Sequence, residues 1–179
     1  MSSPNLADWN PVAATELREM FGEFADWFLC GGVSIDIFAG RQTRLHGDID
    51  VGVYRSDILN CLHSLARDCV YICDPPGTVV HWDGGGIEDH VNDIWITSPD
   101  GTYWILQILL YTDHGDNVIF KRDPAVTWQK SAHTIECDGY RILNPAISLL
   151  YKASRGGFEP RDAQDIATII GCYASRENV

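Results

Sequence analysis

Apolar residues at Leu17, Met20, Phe21 and Phe24 recur at helical spacing and predict an amphipathic helix over 11–24. The run Asp26-Trp27-Phe28-Leu29-Cys30 then stops at Gly31-Gly32, as a short buried strand would. Val33 to Phe38 reads as a short helix closed by Gly40. Ile49, Val51 and Val53 alternate with Asp48, Asp50 and Gly52, the period-two pattern of a strand with one buried face. Ser56 is placed to cap a helix over 57–67. Short strands follow over 70–73, ended by Asp74-Pro75-Pro76-Gly77, and over 79–82, ended by Gly84-Gly85-Gly86. The turn Ser98-Pro99-Asp100-Gly101 joins 91–97 to 102–111 as a hairpin. Two closing helices are expected over 145–154 and 161–170, separated by Arg155-Gly156-Gly157-Phe158. The order predicts an α+β (mixed α/β) fold, a mixed sheet with helices packed on it. It divides into a core over 1–130 and a C-terminal helical segment over 131–179 that packs on the core.

Composition adds little to the fold but narrows the partners. The formal net charge of −12 repels polyanions, so a long nucleic acid is not an expected substrate, whereas a small cation would be attracted. Metal ions bound to carboxylates would still admit a free nucleoside triphosphate. No apolar run approaches the roughly 18 to 20 residues that span a bilayer, and the first residues lack the pattern of a secretory signal. A cytoplasmic protein without membrane contact is expected. The six cysteines form no C-x-x-C pair and read as reduced, buried thiols. His81, Asp83, Asp89 and His90 match no zinc spacing.

The candidate chemistry lies in the first third of the chain. On a strand, Asp48 and Asp50 would project to one side, roughly 6 to 7 Å apart, a spacing suited to holding a hard cation. Alone, such a pair reads as readily as a solvated strand face. It follows Gly31-Gly32, however, at a strand-to-helix junction where glycine permits close approach of phosphate and the helix start offers free N–H groups. Ser34 could add a hydroxyl. The two elements together supply phosphate donors and metal ligands for one cleft.

The stretch Gly31-Gly32-x-x-x-Asp36-x-x-x-Gly40-Arg41-x-Thr43-Arg44-x-His46-x-Asp48-Ile49-Asp50 closely resembles the aminoglycoside and lincosamide nucleotidyltransferases of the polymerase-β-like superfamily. Looser likeness to uncharacterised members continues through Asn92-Asp93-Ile94-Trp95, Leu106-Gln107-Ile108-Leu109-Leu110, Val118-Ile119-Phe120-Lys121-Arg122-Asp123 and Leu150-Tyr151-Lys152-Ala153. The resemblance implies a nucleotidyltransferase fold and a Mg²⁺-dependent enzyme. Such an enzyme moves a nucleoside monophosphate, AMP from ATP or its equivalent from another nucleoside triphosphate, to a hydroxyl of a small molecule and releases pyrophosphate. Asp48 and Asp50 would hold one or two Mg²⁺ ions. The third carboxylate that the family implies, a metal ligand or general base, is assigned to Asp93, with Glu88 and Asp89 as nearby rivals and Gln107 facing the same cleft. Gly31, Gly32, Ser34, Arg44 and Lys152 would bind nucleotide, Arg44 pairing alternatively with Asp36. Arg161 could reach phosphate but suits the surface equally. Asp36 would brace the loop, with His46 as a local hydrogen-bonding residue. Trp82, Trp95, Tyr103 and Trp104 read as core or cross-strand residues, one of which could stack on a base or acceptor ring.

An aminoglycoside- or lincosamide-like acceptor would make the protein an antibiotic-resistance enzyme; an endogenous metabolite or a protein hydroxyl, as in toxin-type transferases, is the alternative. Two rivals stand beside this. A glycosyltransferase would normally carry parallel βαβ units before its D-x-D, for which the 47 residues preceding Asp48 leave little room. A nucleotide-binding regulatory protein on a decayed scaffold would not need intact Gly31, Gly32, Asp48 and Asp50.

Overall fold

A computed structural model describes residues 3–75, 77–153 and 159–176. The Pro76 turn, Ser154 and the Arg155-Gly156-Gly157-Phe158 connection lie outside the described residues. In chain order the elements begin with a 3₁₀ turn Ala14–Glu16, α1 (Leu17–Phe21), β1 (Trp27–Cys30), α2 (Gly31–Ala39) and β2 (Asp50–Tyr54). A 3₁₀ turn Arg55–Asp57 leads into α3 (Ile58–Ser64), then β3 (Val70–Cys73), β4 (Val79–His81), β5 (Asp93–Thr97) and β6 (Trp104–Tyr111). Next come β7 (Asp113–His114), β8 (Asn117–Ile119), β9 (Thr127–Gln129), α4 (Lys130–His133), β10 (Thr134–Cys137) and β11 (Tyr140–Leu143). The helices α5 (Pro145–Ala153) and α6 (Pro160–Arg176) close the chain.

Eight strands form one mixed sheet in the order β10-β11-β1-β2-β6-β5-β3-β4, and β7, β8 and β9 form a small second sheet. β1 runs antiparallel to β2 and parallel to β11, while β2 runs parallel to β6. This layout confirms the mixed sheet with helices. The larger core gathers Leu29, Val51, Val53, Ile94, Ile108 and Ile142 from the strands with Ile35, Phe38 and Ile169 from α2 and α6. Neighbouring residues Phe28, Cys30, Tyr54 and Tyr111 point the other way into a smaller aromatic core, as strand alternation requires. Gly52 sits opposite Phe28 in the register, and any Cβ there would overlap the Phe28 ring.

Several expected elements change. The opening helix shrinks to α1 because the backbone N–H groups of Asn10 and Val12 bond to Trp104 and Ile105 of β6, and Gly22 ends the helix at φ 56°. The strand expected from Asp48 begins at Asp50. Its partner β1 pairs only as far as Cys30↔Asp50 before Gly31 turns into α2, so Asp48 stands on the loop just ahead of the strand. Ser56 caps no helix; its Oγ and N–H both donate to Asp113, at 2.8 and 3.0 Å. The segment over 131–179 is not purely helical, since β10 and β11 belong to the central sheet. Among the described residues no helix is long and apolar enough to cross a membrane.

Candidate active site

At the C-terminal end of β1 the chain must leave the sheet and start a helix at once. Gly31 does this with φ 63°, in the left-handed region that glycine enters without penalty. A Cβ at Gly31 would overlap the Asp50 carboxylate, and one at Gly32 would overlap the side chains of Arg44 and His46. The two glycines therefore make room for the acidic strand end and for the loop that precedes it.

That loop is pinned to α2. Asp36 Oδ1 accepts from Thr43 N–H at 2.9 Å and from the Thr43 hydroxyl at 2.5 Å, while Asp36 Oδ2 meets His46 Nε2 at 2.6 Å. The expected bracing role of Asp36 and the local role of His46 are both seen. Gln164 Nε2 adds a hydrogen bond to Thr43 O at 2.7 Å. Asp48, although outside the strand, is thus carried by a loop held at several points.

Asp48, Asp50 and Asp93 line one cavity of about 440 Å³ together with Gly31, Gly32, Arg44, Gln107 and Lys152. The strand order β2-β6-β5 brings Asp93 across from Asp50, with Gln107 between them donating to Asp93 Oδ1 at 3.0 Å. Burial pushes the Asp50 carboxyl up to about 7, and the charges of Asp48 and Asp93 push the same way while Lys152 and Arg161 oppose. Among the described residues, no three His, Cys, Asp or Glu side chains converge as metal ligands. Asp93, expected as a third ligand or as the base, stands across the cleft from Asp48 and Asp50 and is bonded to Gln107. The pair still fits a divalent cation: its donors are hard carboxylate oxygens, and the like charge that raises Asp50 is what a bound cation would relieve.

Other expected residues fall differently. Ser34 is buried and its Oγ donates to Gly31 O at 2.8 Å, bracing the first turn of α2 and lying off the cavity wall. Arg44 lines the cavity, but its partner is Asp165 on α6 rather than Asp36, through bonds of 2.9 and 3.1 Å. Lys152 Nζ meets Asp165 at 2.6 Å and Asp162 at 3.3 Å. Burial alone would raise the Asp165 pKa, but hydrogen bonds from Arg44 and Lys152 hold it below the usual carboxylate value. Arg161 also lines the cavity, with Glu159 at 2.6 Å. Glu88 and Asp89 do not line it, and His90 pairs with Asp74 at 2.8 Å. Trp82 and Trp104 are core residues and Trp95 packs edge-on to Trp9 and Trp104; none of them reaches the cavity.

Sequence reading assigned no role to Lys121, Arg122, Tyr111 or Tyr151, all of which line the cavity. Arg122 donates to Tyr151 O and lies 5.7 Å over the Tyr151 ring. The available signals were the segments Val118 to Asp123 and Leu150 to Ala153, which carried family likeness but no motif chemistry for these residues.

An acidic strand end, a glycine-led helix start and cations from α5 and α6 thus face one cavity. Residues 17–74, which contain Gly31 through Asp50, match the family model for aminoglycoside-2″-adenylyltransferase. That match covers the first third of the chain, and the likeness of the whole chain is one of fold. No curated protein matches it in sequence. Among solved structures, the lincosamide antibiotic adenylyltransferase LnuA with lincomycin bound aligns at TM-score 0.59 and 16% identity, over 91% of this chain and 99% of that one. The enzyme ANT(2″)-Ia in complex with adenylyl-2″-tobramycin aligns at TM-score 0.47 and 14% identity, over 84% of this chain and 81% of that one.

Proposed function

We propose that the protein transfers AMP from ATP to a hydroxyl of a small molecule, in the manner of the antibiotic adenylyltransferases it is similar to. The observation that carries this reading is the fit between Gly31 and Asp50, which sets a helix start and an acidic pair against the same cavity. The free N–H groups at the start of α2 and the cations Arg44 and Lys152 suit the triphosphate. Asp48 and Asp50 would hold Mg²⁺, which when bound neutralises phosphate charge and the mutual repulsion of the two carboxylates. Asp93 accepts the proton of the acceptor hydroxyl as its oxygen bonds to the α-phosphorus. The bond from that phosphorus to the bridging oxygen breaks, and pyrophosphate leaves. Gln107, bonded to Asp93, orients the carboxylate for this step. Alignment of the acceptor oxygen with the phosphorus supplies much of the rate.

The test is calorimetric binding of a non-hydrolysable ATP analogue with and without Mg²⁺. Binding that requires Mg²⁺ and disappears in the Asp48→Asn, Asp50→Asn double variant supports the reading. Binding that survives both changes removes the carboxylate pair from the site.

A further inference from the structure

The charges around the cavity fall into two ends. Lys152 and Arg161 lie towards Asp50, whose pKa they pull down against burial. Lys121, on the loop after β8, lines the cavity with Asp93; partial burial lowers its pKa, and the charge of Asp93 opposes that shift. The cations at the first end are already matched: Arg44 and Lys152 with Asp165, Lys152 also with Asp162, and Arg161 with Glu159. Lys121 lines the same cavity, and among the described residues its Nζ has no hydrogen-bond or ion-pair partner. It is a point charge on the wall of the cavity that also holds Asp93.

The opposite charge is missing at that end. Beyond Asp48, Asp50 and Asp93, the described carboxylate lining the cavity is Asp162, 2% exposed and held by Lys152. An ammonium group brought to the Asp93 end would find Lys121 and Arg122 as neighbours and only the proposed base as a counter-charge. The net charge of −12 draws cations towards the molecule as a whole, but the charges inside the cavity select against them here.

We infer that the acceptor is a hydroxyl compound bearing an anionic group, a carboxylate or a phosphate, which Lys121 holds beside Asp93, and that polycationic acceptors are rejected. This narrows the acceptor left open above and rests on the transferase reading. The protein loaded with Mg²⁺ and a non-hydrolysable ATP analogue is titrated calorimetrically with glucose, glucuronate, glucose 6-phosphate and tobramycin. At least one acid-bearing sugar should bind about tenfold or more tightly than glucose, and tobramycin should bind more weakly than that sugar. The two acidic sugars separate carboxylate from phosphate recognition. Lys121→Gln and Lys121→Glu should erase the acid preference while leaving analogue affinity and thermal midpoint in place; Lys121 lies on a loop outside both apolar cores, so neither change disturbs them. Tobramycin binding the wild type as tightly as the acidic sugars overturns the inference, as does equal or absent binding of all four probes. An equal loss of analogue affinity in the Lys121 variants would assign Lys121 to the triphosphate and overturn it too. Failure of the parent reading looks different: the analogue itself then shows no Mg²⁺-dependent binding, and both proposals fall together.

Discussion

Arg44 and Asp165, 121 residues apart, share two hydrogen bonds that tie the loop ahead of the acidic pair to α6. The Asp165 side chain is fully buried and also receives Lys152 at 2.6 Å. Removing one partner of a buried charge network costs about 3 to 5 kcal/mol, because the remaining charges lose their compensation. Asp165→Ala should therefore lower the thermal midpoint by roughly 6 °C or more, at about 2 to 4 °C per kcal/mol for a chain of this size. A midpoint within a degree or two of wild type would show that α6 is not anchored by this network.

Gly31→Ala tests the fit at the start of α2. The new methyl group would overlap Asp50 and require a non-glycine residue at φ 63°. Backbone strain of this kind costs about 1 to 3 kcal/mol, and a shift of Asp50 by about 1 Å would lower kcat/KM by about a hundredfold. Steady-state kinetics on the variant decide this, and near-normal kcat/KM would mean that the Asp50 position is not critical.

The raised Asp50 pKa makes stability depend on pH. Its folded value, about 7, lies above the ordinary 3.8, so the folded state holds the extra proton between those values. Stability from this group is fully present below pH 3.8 and is lost as pH rises through 7. Without divalent cations, unfolding free energy should fall by a few kcal/mol between about pH 5 and 8, and Asp50→Asn should flatten that slope. Mg²⁺ should stabilise more at pH 8 than at pH 6, because a bound cation competes with the proton. Denaturant titrations across this range give the answer; an identical slope in wild type and Asp50→Asn would contradict the assignment.

Asp93→Asn separates base from ligand. Loss of a general base lowers the rate by about 10² to 10⁴. Because Asp48 and Asp50 remain, affinity for a Mg²⁺–ATP analogue should change by less than about threefold, under 1 kcal/mol. Rate and binding measured on one preparation distinguish the roles, and an equal loss in both would make Asp93 a metal ligand.

Local sequence carried the centre of this site because its chemistry is local. Gly31, Gly32, Asp36, His46, Asp48 and Asp50 lie within 20 residues, and a strand-to-helix turn followed by an acidic strand end is written in residue types alone. The same holds for the hairpin about Pro99-Asp100-Gly101, whose turn residues fix it without help from the rest of the chain. Asp93 was a candidate among neighbours until the β2-β6-β5 order set it across the cavity and left Glu88 and Asp89 outside.

What the sequence by itself determined was the mixed sheet, the glycine turn and the acidic pair, since period-two alternation and left-handed backbone demand particular residues at particular positions. Only the tertiary structure decided the rest. The place of β10 and β11 in the central sheet depends on β1 as the neighbour of β11, a pairing with no signal in either segment. The start of β2 at Asp50 depends on where β1 ends. The partner of Arg44 and the arrival of Lys121 at the cavity depend on chain segments far away in sequence, and charge pairs of that kind are chosen by proximity in space rather than by spacing along the chain.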